Sequence, residues 1–452
     1  MKRAVIIGGN AAGLSAASQV KRRQPDWEVV VLEKGTFISY GSCGIPYFIE
    51  GLVPNIENLI TLNPETAINK RQLDLRTGTE VTGLDLKQKQ ITIKNSHTTE
   101  NLSFDYLAIC TGASATTAGI EIEGNEGVFT VHSLEDGMGI DNFIREHNPS
   151  RAAVIGGGFI AVELVEALHQ RGINTHLIHR RESLARNLEN EISRALLSEM
   201  EEKGVTLNLN RSVKGVESSP SGSTGNGAVV VHTQEGDLSF DMAIIAAGVQ
   251  PNTGLLENTD VDLGLKGAVR TNSLMQTNYD YVYAAGDCVE TFNRITGEPV
   301  YAPLALKANR EGYVAGANIA GGREEFPGIV ETAVTKVFEL GAARTGFTEE
   351  RAREAGFDPY KVNATTGSRA HYYPGGGNLQ NVLIADRQSK RLLGAQLSGP
   401  VEAVKRIDVY STAITAGMTV EDTFNLDLAY APPFAPVYDP VITTSRVARQ
   451  QI

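Results

Sequence analysis

Two stretches of the chain pass in the same way from an unbroken apolar run into a glycine turn. Ala4-Val-Ile-Ile7 enters Gly8-Gly-Asn-Ala-Ala-Gly13, continues as a small-residue run to Val20, and is followed by Glu28-Val-Val-Val-Leu-Glu33. Ala152-Ala-Val-Ile155 enters Gly156-Gly-Gly-Phe-Ile-Ala161, continues as an amphipathic run to Gln170, and is followed by Asn174-Thr-His-Leu-Ile-His179. Each predicts strand, turn, helix and strand, the βαβ unit of a dinucleotide site. The apolar runs do not alternate with polar residues, which fits strands buried on both faces of a parallel sheet. Tyr106-Leu-Ala-Ile-Cys-Thr-Gly112, Met242-Ala-Ile-Ile-Ala-Ala-Gly248 and Val282-Tyr-Ala-Ala-Gly-Asp287 add further strands that end in glycine turns. Ser218–Gly227 is low in complexity and predicts an exposed loop between two strands. After about Gly322 the pattern changes. Alternating runs at Asn381–Asp386 and Leu392–Leu397 predict antiparallel strands, followed by a helix over about 401–416 and a Pro-rich tail. The expected class is α/β, with two dinucleotide-binding Rossmann-like domains and a third, α+β domain.

Composition narrows the function classes. The chain has 452 residues, enough for two or three domains. Its net charge of −12 gives no reason to expect nucleic-acid binding, and no long apolar run predicts a membrane span. The N-terminal apolar run enters a glycine turn and reads as a strand, not a signal peptide. Three cysteines, Cys43, Cys110 and Cys288, argue against a disulfide scaffold and for a reducing, cytoplasmic setting. No metal site is expected. Cys110 and Cys288 sit in apolar strand contexts and are expected to be inert.

A tight glycine turn lets a helix N-terminus approach a pyrophosphate. Gly8 and Gly13 take the first and third positions of one fingerprint, with Asn10 in the middle place. Glu33 ends the second strand, where a carboxylate accepts from ribose hydroxyls. In the second fingerprint Gly156 and Gly158 are followed by Ala161, and the next strand ends in His179-Arg180-Arg181 instead of an acid. Cations at that place suit a ribose 2′-phosphate, hence NADPH over NADH. Two such sites in one chain imply a flavin and the nicotinamide that feeds it. Asp287 is the expected partner of the flavin's ribityl chain.

With Ser39-Tyr-Gly-Ser-Cys-Gly-Ile-Pro-Tyr47, Thr111-Gly112, Ala247-Gly-Val-Gln-Pro-Asn252, Ala284-Ala-Gly-Asp287 and Ala429-Tyr-Ala-Pro-Pro-Phe434, the chain closely resembles the pyridine nucleotide–disulfide oxidoreductases along nearly its whole length. The single-cysteine branch is the best match: coenzyme A disulfide reductases, persulfide reductases, and NADH oxidases and peroxidases. Phe48 stands where dithiol members carry a second cysteine, and no Cys-x-x-Cys lies in the nicotinamide domain. Asn10 stands where oxidases and peroxidases of the branch usually place a histidine.

The resemblance implies FAD in residues 1–113 and 251–325, NAD(P)H in 114–250, and a dimerisation domain in 326–452. It adds Ala11, Lys34, Val81, Thr111, Gly112, Phe159, Ile160, Glu163, Gly248 and Ala305 to the cofactor-binding set, with Phe159 as an aromatic cover over the flavin. It makes Cys43 the redox nucleophile, with a thiol pKa expected to be lowered by a helix N-terminus. Tyr430 and Tyr372, or in its place Tyr373, are implied near the partner subunit's sulfur. The implied substrate is coenzyme A disulfide or a related persulfide or polysulfide. Arg22, Arg23, Lys70 and Arg71 are candidate cations for its phosphates, and Ser39 and Ser42 candidate lining of the pantetheine channel. No rhodanese-like domain is expected after the dimerisation domain. Two alternatives stand beside this: an NAD(P)H oxidase or peroxidase using a Cys43 sulfenic acid, and a flavoprotein redox sensor.

Overall fold

The computed structural model describes residues 1–219 and 228–451. Both apolar βαβ patterns become central strands of parallel sheets. In the first sheet the order is Val282–Ala284, Tyr106–Ile109, Arg3–Ile7, Glu28–Leu32 and Asp74–Arg76, with all neighbours parallel. In the second it is Val128–Thr130, Met242–Ala246, Arg151–Gly156, Asn174–Ile178 and Thr206–Asn208, again parallel throughout. Burial on both faces explains the unbroken apolar runs: Ala4, Val5, Ile6, Ala152, Ala153 and Val154 are fully buried.

The helix Ala11–Arg23 connects the strands Arg3–Ile7 and Glu28–Leu32 of the first sheet and packs against the helix Ala305–Ile319. Their approach is close enough to require glycine. A Cβ on Gly312 would lie 2.1 Å from the Ala12 carbonyl oxygen, and one on Gly316 would lie 2.3 Å from that of Ala16. The antiparallel pair Ala113–Ala115 and Val249–Pro251 marks where the chain crosses between the two sheets' regions and back. Asn252 fastens this crossing: its Nδ2 donates to the Thr111 carbonyl at 3.0 Å, and its own carbonyl accepts from Thr111 Oγ1 at 2.6 Å.

The C-terminal region is a five-stranded antiparallel sheet in the order Ala333–Val337, Leu340–Gly346, Leu392–Pro400, Asn378–Asp386, Pro359–Gly367. The two runs read as antiparallel strands are neighbours there. The helix expected over about 401–416 is shorter. A turn after Pro400 and a 3₁₀ segment Val404–Arg406 come first, and the α-helix spans Ile407–Thr415. The Pro-rich tail, in turn, contains the helix Pro440–Arg449. Pro440 is at its first position, where a missing N–H costs nothing, and the Asp439 carboxylate caps the Val441 N–H at 2.9 Å. The loop expected at 218–227 falls, from 220 to 227, outside the described residues; the strands on either side, Val213–Ser218 and Val229–Thr233, pair antiparallel. Among the described residues no helix is long and apolar enough to cross a membrane.

Candidate functional site

The two glycine turns are steric cradles. Gly8 has φ +109, and a Cβ there would lie 2.1 Å from the Cys110 carbonyl oxygen; one on Gly13 would lie 1.8 Å from that of Gly8. Gly156 has φ +152, and a Cβ there would lie 2.3 Å from the Ala246 carbonyl oxygen. Side chains are thus excluded where a pyrophosphate would meet helix N-termini, while at Gly158 the space is open. Glu33 ends its strand against the first turn, its oxygens accepting from the N–H groups of Gly9 and Gly35, each at 2.7 Å. Each oxygen keeps a lone pair for a ribose hydroxyl. Asn10 turns elsewhere: its Oδ1 accepts from the Tyr40 N–H at 3.1 Å and ties the cysteine-bearing segment to the first turn. Lys34 directs its ammonium to Glu80 at the surface, and Val81 lies half-buried in the following strand.

Asp287 sits at the end of the strand Val282–Ala284. Its Oδ1 is buried and has no hydrogen-bond partner among the described residues. Burial holds its pKa up, with Lys307 and His132 acting in the opposite direction. A buried acceptor left open beside a glycine cradle fits a hydroxyl-bearing ligand such as the ribityl chain of a flavin. Ala305 opens the helix Ala305–Ile319 next to it.

At the second turn the His179 ring takes the space a Gly157 side chain would need, within 2.5–2.8 Å of where its Cβ would be. Burial lowers the pKa of the imidazole, opposed by a hydrogen bond with the Ser183 backbone and reinforced by Arg181 and Arg180. Arg181 is pushed below its usual pKa by desolvation and by Arg186 and Arg180. Arg186 escaped the sequence reading although it lies on the same loop, five positions after Arg181. Phe159 opens the helix Phe159–Gln170 half-buried, with Ile160 exposed beside it. Glu163, one turn on, accepts from Thr335 Oγ1 of the C-terminal sheet at 2.8 Å, and burial pushes its pKa up to about 7. Gly248, at φ +126, closes the crossing by accepting from the Thr116 N–H at 3.0 Å.

Cys43 does not stand at the start of an α-helix. It lies in the 3₁₀ turn Ser42–Gly44, and the helix Ile45–Glu50 begins after it. The sulfur is exposed and so reachable, yet closely surrounded. Desolvation, then the carboxylates of Glu163 and Asp287, pushes its thiol up, outweighing its own backbone N–H. The expected lowering is therefore not supplied by the protein groups around it, because they are acidic and the six-residue helix starts past it. Cys110 and Cys288 are buried, with both thiols raised by desolvation.

Beside the first helix is an open cavity of about 390 Å³ whose lining includes Ala11, Ser15, Ser18, Arg22, Ser39 and Arg71, together with Asn309 and Tyr313. Three of the six residues assigned to the substrate, Arg22, Ser39 and Arg71, thus share one cavity, and Lys70 is not part of its lining. Arg71 Nη1 donates to Ser18 Oγ at 2.7 Å, which holds its guanidinium across the helix face. Ser42 is not part of this lining; it begins the 3₁₀ turn that holds Cys43. Arg23 is likewise absent; it pairs with Glu324. Ser15 and Ser18 were missed, although they follow Ala11 at helical spacing and precede Arg22 on the same face.

Tyr372 and Tyr430 bring their hydroxyls together at 3.2 Å, and Tyr373 instead donates its N–H to the Ala370 carbonyl. The two segments are held by Arg406, which donates to the Ser368 and Phe434 carbonyls and pairs with Asp439 at 2.8 Å.

Residues 2–312 match the family described as pyridine nucleotide-disulphide oxidoreductase, and residues 332–440 its dimerisation domain. The chain belongs to the pyridine nucleotide-disulphide oxidoreductases. Its doubled parallel sheets and antiparallel third region are that family's architecture, and membership implies a flavin and a nicotinamide nucleotide. It is 39% identical over 449 residues to the NAD(P)H sulfur oxidoreductase (CoA-dependent) of Pyrococcus furiosus, covering 99% of each chain. It is 30% identical over 438 residues to the coenzyme A disulfide reductase of Staphylococcus haemolyticus, covering 96% of each. The solved NAD-dependent persulfide reductase from A. fulgidus superposes with a TM-score of 0.95 at 38% identity, over 99% of this chain and 83% of that one.

Proposed function

We propose that the chain is an FAD-dependent NAD(P)H oxidoreductase that reduces coenzyme A disulfide, or a coenzyme A persulfide or polysulfide, through Cys43. In this reading it works as a homodimer and uses NADPH better than NADH. Residues 1–113 and 251–325 hold FAD, 114–250 hold the nicotinamide nucleotide, and 326–452 pair the subunits. The observation that carries it is the cavity between Arg22 and Arg71. Coenzyme A bears a 3′-phosphate and a pyrophosphate, and two guanidinium groups over a row of hydroxyls suit both. Ser39 lines the cavity and precedes Cys43 on the same segment. This suits a long ligand anchored by its nucleotide end, with its sulfur end running towards the thiol.

The Cys43 thiolate attacks one sulfur of the disulfide. A bond forms between Cys43 Sγ and that sulfur, the original S–S bond breaks, and the leaving thiolate takes up a proton. The flavin, when bound, supplies the two electrons, drawn from NAD(P)H, that reduce the resulting mixed disulfide. Tyr372 and Tyr430, as phenols, serve the partner subunit as donors to the leaving sulfur.

Mass spectrometry of the intact, unreduced protein tests this. The expected result is a coenzyme A adduct on Cys43 that dithiothreitol removes and Cys43→Ser abolishes. A wild-type protein with no adduct and no turnover of coenzyme A disulfide by NADPH would overturn the reading.

A further inference from the structure

Among the described residues, one pair of charges lies deeper than any other and has no role in the chemistry above. Lys307 and Glu311, on the helix Ala305–Ile319, are joined at 3.0 Å with side chains 1% and 0% exposed. Two charges withdrawn from water in this way cost more than an apolar pair of similar size unless their bonds do something else. Here two of those bonds meet on one residue, Gly286. Glu311 Oε2 accepts from the Gly286 N–H at 3.0 Å. Lys307 Nζ donates to the Gly286 carbonyl at 2.9 Å and to the Val289 carbonyl at 3.1 Å, so its three N–H groups are all used. Both backbone groups of Gly286 are therefore gripped from one helix. Gly286 itself has φ +93, and a Cβ on it would lie 2.9 Å from that of Ala12. The next residue is Asp287, whose buried Oδ1 is left open.

We propose that the Lys307–Glu311 pair is the positioning device of the flavin site, fixing the Gly286 peptide and with it the direction in which Asp287 presents its carboxylate. The proposal rests on the flavin reading above and concerns binding geometry, not the sulfur chemistry. Neither residue touches the reacting atoms. An apolar pair would fill the same space, but it would leave the Gly286 N–H and carbonyl without partners and the following carboxylate free to turn.

The test uses purified holoprotein and the FAD released on serial dilution, read by fluorescence, with the melting temperature measured on the same samples. In Lys307→Met/Glu311→Gln, a nearly isosteric and neutral pair, FAD Kd is expected to rise at least about 10-fold with little change in melting of the flavin-free protein. Asp287→Asn should weaken FAD strongly in the wild-type background and much less in the double variant, because the carboxylate is already misdirected there. A purely structural pair would lower melting and leave the two effects additive, and that result overturns the proposal. If the double variant does not fold, Lys307→Met alone, which removes the donor to the Gly286 carbonyl, decides. A 10-fold weaker Kd at unchanged melting supports the proposal, and an unchanged Kd or an unfolded protein refutes it. Wild-type protein that carries no FAD and takes up none would instead remove the flavin reading itself.

Discussion

The hydroxyls of Tyr372 and Tyr430 lie 3.2 Å apart although the residues are 58 positions apart in the chain. The contact raises the Tyr430 phenol above its ordinary pKa, chiefly through the Tyr372 hydrogen bond. Tyr430→Phe is expected to slow disulfide turnover roughly 10²–10⁴-fold, the range for loss of a proton donor, while leaving flavin reduction by NADPH unchanged. Stopped-flow spectra of the two half-reactions check this.

Cys43 should behave as a thiol that is reachable but hard to ionise. Its surroundings raise the pKa above the usual thiol value of 9.0. The thiolate fraction is then small at neutral pH and grows as pH rises, about tenfold per unit below the pKa. Iodoacetamide labelling of the reduced protein should accelerate steadily to beyond pH 9, with no plateau between pH 6 and 8. A plateau at neutral pH would mean that bound cofactor or partner lowers the pKa after all. Cys43→Ser should lose labelling there and all disulfide reduction, yet keep reduction of the flavin.

Arg22 and Arg71 are expected to bind substrate and take no part in the chemistry. Each charge-assisted bond to phosphate contributes about 1.5–3 kcal/mol, so either Arg→Ala change should raise KM for coenzyme A disulfide roughly 10- to 100-fold with kcat little altered. A small disulfide without phosphates should be reduced equally well by wild type and variants. Steady-state kinetics with both substrates separates the two roles.

At the second turn, desolvation and then the nearby Arg186 and Arg180 lower the pKa of Arg181, and an added phosphate would relieve that crowding. NADPH is expected to exceed NADH in kcat/KM by roughly 10- to 100-fold, equivalent to about 1.5–3 kcal/mol. Arg180→Ala should shrink this ratio by lowering the NADPH value alone. Equal efficiencies in the wild type would remove the basic loop as a specificity element.

Glu163 should make stability depend on pH. Its folded pKa of about 7 exceeds the ordinary 4.5. The folded protein therefore holds this proton more tightly than the unfolded chain. The stabilisation is fully present below about 4.5 and is lost as pH rises through about 7. Glu163→Gln, which keeps an acceptor for Thr335 Oγ1, should match wild type at pH 4.5 and exceed it at pH 8 by on the order of 1–3 kcal/mol. Urea midpoints at the two pH values are the measurement.

What the sequence determined by itself were the features that local geometry imposes. Gly8, Gly13 and Gly156 are legible because no Cβ fits where a strand turns into a helix against a neighbouring carbonyl. The strands beside them are legible because burial on both faces leaves no polar position in the run. Cys43 stands out because no second cysteine replaces Phe48. Tertiary structure decided what depends on distant partners. It set Arg71 against Ser18, and Tyr372 instead of Tyr373 against Tyr430. It buried Lys307 and Glu311, which on an isolated helix read as an ordinary surface pair at i and i+4. It also reversed the expected shift at Cys43. A pKa answers to the summed desolvation and charge of neighbours from several segments, and a motif records only the neighbours in its own.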